Sequence, residues 1–249
     1  MASGIDHLVI AVTDPDAAAA ELTEKVGLAF TPGGRHPGLG TFNRIAFLGD
    51  AYLELMGVED AAAAAGWAIG AAALRALESG GGFATYGLVD DGIRATVARL
   101  QANGSGIGPV IHGSRERPDG ERVEWWTASP PELGPDQPPF LIKHLSAGAE
   151  WGSEALAARR SFLHPAGTQA SLVGLELAVP DPPRLAADCA VETGLEFLAI
   201  GHAATATTGR QIVRLVPARA AAAVVVTLRI GSRSARSLSA LGLDLLLVP

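Results

Sequence analysis

The chain has 249 residues, 48% of them hydrophobic and 18% charged, with a formal net charge of −7. That length and apolar content can bury a core and exclude a disordered chain. The acidic balance and the lack of a basic block exclude a reader of phosphate backbones, so no nucleic-acid partner is expected.

Residues 5–13 alternate as a strand, with Leu8, Ile10 and Val12 on one face and His7, Val9 and Ala11 on the other. Asp14 can cap a following helix and Pro15 suits its first position; Gly27 ends it. Strands are predicted at 28–34, 41–49 and 51–58, with a tight turn at Gly49-Asp50. The alanine-rich run 61–77 reads as a soluble helix: alanine is weakly apolar and Arg75 interrupts it, so no membrane span is expected. A strand at 82–91 and a helix at 92–104 follow. A hairpin turns at Pro118-Asp119-Gly120, and a strand at 140–145 completes a second unit. Residues 147–170 read as a connector.

A third unit starts at 171–181, where AVPDP repeats the AVTDP of residues 11–15. Its helix holds Cys189, the one cysteine, read as a small core residue; no internal disulfide can form. Strands are predicted at 194–201 and 210–218, and another first strand at 223–232. A short helical stretch at 233–241 and a last strand at 243–249 make a truncated fourth unit. The expected class is α+β: repeated βαβββ modules paired into half-barrels, with helices packed on the outer faces. The expected division is a first module at 1–59, a connecting helix at 60–81 and a second module at 82–147. A connector at 148–170 and a third module with the truncated fourth at 171–249 complete it. The N-terminus lacks a signal-peptide pattern, and the expected location is the cytoplasm.

The stretch GGRHPGLGTFNRIAFLGDAYLELMGV, residues 33–58, resembles the glyoxalase-like domain subgroup of the vicinal oxygen chelate superfamily. That superfamily includes glyoxalase I, extradiol dioxygenases and bleomycin-resistance proteins. RPDGERVEWW and PPFLIKH in the second unit also resemble that subgroup, so the likeness covers about residues 4–147. It implies two paired modules, each lending metal ligands from its first and fourth strands to one cavity. His7 and Glu54 match in the first module. An imidazole and a carboxylate suit a divalent metal such as Zn, Fe, Mn or Ni. The counterparts do not match: Ala84 and Gly174 stand opposite His7, and Lys143 and Arg214 stand opposite Glu54. A slip of one residue in the strand at 140–145 turns His144 inward instead.

Three states of the site follow. In one, His7 and Glu54 hold a metal with His144 or His36 as third ligand. In the second there is no metal, and Glu54 pairs with Lys143. In the third the cavity binds a ligand without chemistry. Glu54 between Leu53 and Leu55 faces either solvent or a polar cavity, where it is a candidate general base. His7 reads equally as a buried imidazole bonded to a backbone carbonyl. Arg35, His36 and Asn43 are a cavity rim or a polar turn. Trp125 and Trp126 are adjacent on a strand, so one ring points inward, and Trp125 is the candidate. His112, His164 and His202 read as surface residues. The resemblance implies an enzyme acting on a small oxygen-rich molecule by isomerase, lyase or dioxygenase chemistry. The alternative is a non-catalytic small-molecule binder of the resistance-protein type. A monomer or a homodimer is expected.

Overall fold

The computed structural model describes residues 3–116, 120, 122–145, 162–218, 224–231 and 234–249. The first unit is β1 (Ile5–Ala11), α1 (Pro15–Val26), β2 (Gly34–His36), β3 (Thr41–Leu48) and β4 (Ala51–Val58). Helices α2 (Ala61–Ala65) and α3 (Ala68–Glu78) follow. The second unit is β5 (Gly82–Val89), α4 (Ile93–Ala102), β6 (Ile111–Glu116), β7 (Arg122–Ala128) and β8 (Phe140–His144). These eight strands close into a barrel in the order β1-β4-β3-β2-β6-β7-β8-β5.

The third unit is β9 (Ser171–Val179), α5 (Pro182–Thr193), β10 (Leu198–Ile200), β11 (Ala203–Thr208) and β12 (Gln211–Pro217). With β13 (Val224–Arg229), β14 (Arg236–Ala240) and β15 (Leu243–Val248) it forms a seven-stranded sheet in the order β10-β11-β12-β9-β13-β15-β14. The fold is α+β, and the paired modules close further than expected: the first two complete a barrel. Among the described residues, no helix is long and apolar enough to cross a membrane.

Local chemistry explains the repeated start of each unit. The Asp14 side chain accepts from the backbone N–H groups of Asp16 and Ala17 at the head of α1, and Gly27 ends the helix at φ 81. Asp181 caps α5 in the same way, and Gly194 ends it at φ 75. These positive φ values suit glycine, which has no Cβ to clash.

Three sequence expectations fail locally. Residues 28–33 are not a strand. Pro32 has no N–H to give a ladder, and the Ala29 N–H is taken by the His164 imidazole at 3.0 Å. The single helix expected over 61–77 is broken at Gly66-Trp67. Trp67 is extended, and its indole N–H donates to Leu39 O at 3.0 Å. The helix expected at 233–241 is instead strand β14 over Arg236–Ala240. Leu241 (φ 52) and Gly242 (φ 72) form a two-residue turn that pairs Ala240 with Leu243. Two successive left-handed residues are the turn that matches strand twist, and it fixes a hairpin where alternating serines alone read ambiguously. The hairpin tip expected at Pro118-Asp119 and most of the 147–170 connector lie outside the described residues.

Two apolar clusters organise the molecule. One fills the barrel interior and includes Val9, Met56, Ile69, Val123, Phe140 and Ile142. The other runs from the outer face of the barrel into the seven-stranded sheet, joining Leu8, Ile10, Leu48 and Leu55 to Leu175, Val213 and Leu245. Strand β1 is buried along its whole length because both its faces are covered.

Candidate functional site in the barrel

One cavity opens within the barrel. His7, His36, Asn43, Glu54, Trp125 and His144 supply much of its lining, and Arg115 also faces it. Its volume is ≈ 30 Å³. A single water requires about 10–15 Å³ on this kind of measure, so the cavity suits a molecule of few heavy atoms.

Strand alternation sets which residues look inward. On β4, Glu54 and Met56 face the interior and Leu53 and Leu55 the outer core. The carboxylate between two leucines is therefore a cavity group, and only 4% of Glu54 is exposed. β1 and β4 pair in parallel, with His7 opposite Tyr52 and Val9 opposite Glu54. That register brings His7 Nε2 to 3.4 Å from Glu54 Oε2. The His7 ring stacks on Tyr52 at 4.4 Å between centroids and meets the edge of Phe140 at 5.3 Å.

Glu54 is fixed from its other oxygen. Asn43 Nδ2 donates to Oε1 at 2.6 Å, while the Gly34 N–H donates to Asn43 Oδ1 at 3.0 Å. The backbone donor decides which end of the amide is oxygen, so the amide nitrogen must face the carboxylate. His36 Nε2 lies 3.8 Å from Glu54 Oε1, and its Nδ1 is 2.7 Å from Thr41 Oγ1. Burial lowers the His36 pKa from the ordinary 6.5 to about 4. The nearby Glu54 charge works against that shift, and the Arg115 and His7 charges add to it. His36 is therefore a neutral ring at neutral pH.

Asp6 was not singled out from the sequence. The pairing of β1 with β5 shifts register between Ile5 and His7, a bulge that leaves Asp6 without a partner across the strands. A bulge interrupts the alternation that would send neighbouring side chains to opposite faces. Asp6 Oδ1 lies 2.7 Å from His7 Nδ1 and 3.1 Å from His144 Nε2. Burial alone would raise the Asp6 pKa. The charges and hydrogen bonds of His144 and His7 outweigh it and hold the carboxyl well below the usual range. An ionised Asp6 accepts a hydrogen bond from His7 Nδ1 and orients the ring with Nε2 toward Glu54.

Several expected residues sit elsewhere. Lys143 does not enter the cavity and does not pair with Glu54. On β8 the inward residues are Phe140, Ile142 and His144, and Lys143 Nζ donates to Asp91 O at 2.7 Å beside the Trp126 ring. The register differs by one residue from the expected one, and His144 takes the inward place. Arg35 also faces away from the cavity: its side chain is 70% exposed and ion-pairs with Glu59. Trp125 faces inward and meets His36 edge-on at 5.8 Å, whereas Trp126 lies outside under the Arg94 guanidinium. His164 is not a surface residue but 3% exposed, with Nδ1 accepting from Ala29 N–H and Nε2 donating to Phe47 O at 2.8 Å. Arg214, expected opposite Glu54, pairs with Glu176 on the seven-stranded sheet.

The cavity side chains that could hold a divalent metal are His7, His36, Glu54 and His144. A catalytic site normally offers three protein donors with free lone pairs. His7 Nε2 and Glu54 meet, but the Nε2 of His144 is hydrogen-bonded to Asp6. Among the described residues no group of three His, Cys, Asp or Glu side chains is arranged to hold a metal ion. Among the described residues, the side chains as they stand do not form a complete metal centre.

A sequence profile of the family described as glyoxalase-like domain matches residues 5–191. No curated protein matches the chain. A hypothetical protein from Staphylococcus aureus has a similar structure, with 17% identity, 98% of each chain covered and a TM-score of 0.80. Methylmalonyl-CoA epimerase from Streptomyces coelicolor, crystallised with 2-nitronate-propionyl-CoA, matches at 17% identity over 57% of this chain and 97% of its own (TM-score 0.43). The epimerase from Mycobacterium tuberculosis matches at 17% identity over 57% and 87% (TM-score 0.41).

Proposed function

The chain belongs to the glyoxalase-like domain family of the vicinal oxygen chelate superfamily, and on that premise we propose that it is an enzyme moving a proton on a small oxygen-rich metabolite. The observation that carries this reading is the Glu54 carboxylate. It is buried, held at Oε1 by Asn43, and presents Oε2 to the cavity beside the His7 imidazole. A fixed carboxylate in a cavity with little room for water is suited to take a proton from carbon.

Glu54 Oε2 accepts the proton from a carbon next to a carbonyl. The C–H electron pair moves toward the carbonyl oxygen as an enolate. His7, oriented by Asp6, holds its Nε2 within reach of the same carboxylate and is placed to relay the proton. Return to the other face or the neighbouring carbon gives isomerisation; expulsion of a leaving group gives lyase chemistry. No step is drawn through a metal, because the donors present do not complete a centre for one.

The test is solvent deuterium exchange followed by proton NMR, using a panel of small hydroxy- and oxo-compounds with wild type and Glu54→Gln. Wild type should exchange the C–H next to a carbonyl. Glu54→Gln should lose about 10²–10⁴-fold in rate while keeping ligand binding. Exchange should survive exhaustive dialysis against a chelator. Binding without exchange for every compound would leave a sequestering protein and sink the enzyme reading.

A further inference from the structure

We propose that Gln211 is a positioning residue for the barrel site: from the third repeat it fixes the backbone of the β1 bulge that carries Asp6, and through Asp6 it sets the His7 imidazole. The inference rests on the proton-transfer reading of the cavity and adds a residue that serves it from outside.

The first and third repeats dock on each other reciprocally. The two-residue tip Gly209-Arg210 joins β11 to β12, and the tip Gly49-Asp50 joins β3 to β4 at the same place in the first repeat. A Cβ at Gly209 would collide with Ser3 O, just ahead of β1. A Cβ at Gly49 would stand 3.4 Å from Ser171 Cβ, at the start of β9. Each tip thus lies against the first strand of the other repeat. The bulge is repeated as well. The pairing of β1 with β5 skips Asp6, and the pairing of β9 with β13 skips Val173, its counterpart in the third repeat.

One side chain breaks this correspondence. Gln211 follows one tip and Ala51 follows the other. The ladder of β1 on β4 begins with His7 opposite Tyr52, so Ile5 lies beyond its end. There the buried Ile5 N–H donates to Gln211 Oε1 at 3.2 Å. The backbone donor decides which end of this amide is oxygen. Gly4 leaves space for it, since a Cβ there would stand 3.1 Å from Oε1. At the counterpart position the methyl of Ala51 cannot accept a hydrogen bond. The third repeat therefore forms the same bulge and the same docking without an amide, and the fold itself does not require one. What differs is the bulged residue. In the third repeat it is a valine; in the first it is Asp6, whose Oδ1 meets both His7 and His144. A bulge leaves its extra residue unpaired and the ladder locally disrupted. Groups that act on a substrate must be held closely by their supporting shell. Tying down the residue before Asp6 supplies that support in the one bulge that carries a carboxylate.

The experiment is nitrogen NMR of the imidazole rings in the whole chain at pH 7 without ligand, beside the deuterium-exchange assay. Gln211→Met keeps the length of the side chain and removes the acceptor. The ring nitrogens of His7 and His144 should move from their wild-type positions, while those of His164, bonded to Ala29 and Phe47, should stay. Exchange should slow by about 10–100-fold with ligand affinity unchanged. Gln211→Glu retains an acceptor for the Ile5 N–H and should restore the wild-type spectrum. Gly4→Ala crowds Oε1 and should move the same two rings, which covers a methionine variant that fails to fold. Unmoved His7 and His144 signals overturn the inference. So does a shift of all the rings together, which marks general packing. A wild type that exchanges no compound sinks the proton-transfer reading alone; the ring spectra need no substrate and still uphold or overturn the link from Gln211 to His7.

Discussion

Asp6 and His7 are neighbours in one strand, yet their side chains meet, with Asp6 Oδ1 2.7 Å from His7 Nδ1. The bulge in β1 makes that contact, and the same oxygen reaches His144 on β8 at 3.1 Å. One carboxylate thus orients imidazoles from both modules of the barrel.

Asp6→Asn should therefore disturb the His7 tautomer more than the fold. An amide can offer its N–H to Nδ1 and push the ring proton to Nε2, the wrong nitrogen for accepting a proton. The exchange rate should fall by about 10²-fold, with its pH dependence altered and ligand binding retained. An unchanged pH profile in steady-state kinetics would assign Asp6 a packing role only.

Asn43→Ala removes a donor from Glu54 Oε1 and an acceptor from the Gly34 N–H together. Leaving such buried groups unmatched costs about 1–3 kcal/mol each. Urea unfolding should show a loss of about 2–6 kcal/mol for the two groups together, and exchange should slow because the carboxylate is no longer fixed. A variant as stable as wild type would mean that solvent replaces the amide at no cost.

His36 makes stability depend on pH in a defined window. Its folded pKa is about 4 against an ordinary 6.5. Between those values the unfolded chain binds the extra proton, so the contribution is present in full above pH 6.5. It is lost as pH falls through 4, by about 3 kcal/mol at most. Urea unfolding of wild type and His36→Gln at pH 7, 5.5 and 4 should show a shallower acid loss in the variant. Parallel curves would show that His36 takes up its proton in the folded chain as readily as in the unfolded one.

His164 bridges two stretches far apart in sequence, accepting from Ala29 N–H and donating to Phe47 O. Burial lowers its pKa, while the bond to Phe47 raises it. His164→Ala should destabilise the chain by about 1–3 kcal/mol without changing ligand affinity at the cavity. A shifted affinity at unchanged stability would place His164 in communication with the site.

The repeat, the helix caps and the inward placement of His7, His36, Asn43, Glu54 and Trp125 follow from features a sequence carries: turn chemistry, period-two alternation and family likeness. Lys143 and His144 could not be separated that way, because a slip of one residue inverts a strand and nothing local fixes the register of β8. Asp6 was hidden by a bulge, which obeys pairing with β5 and not its own neighbours. Arg115 was invisible for a related reason: β6 carries polar residues on both faces, and the glycine beside the arginine stem, Gly34, is far from it in sequence. The strand β14 depended on a left-handed Leu241, a conformation residue type does not announce.

The apolar cluster that joins the outside of the barrel to the seven-stranded sheet ties together two halves with unequal duties. Leu8 and Ile10, on the strand that bears His7, share that cluster with Leu175, Val213 and Leu245. Heat or denaturant should then unfold barrel and sheet in one cooperative transition. A repeat that lends no side chain to the cavity still shields the outer wall of the barrel that holds it. The geometry around Glu54 is accordingly maintained by the stability of the whole chain, and a core substitution in the third repeat should loosen a cavity it never touches.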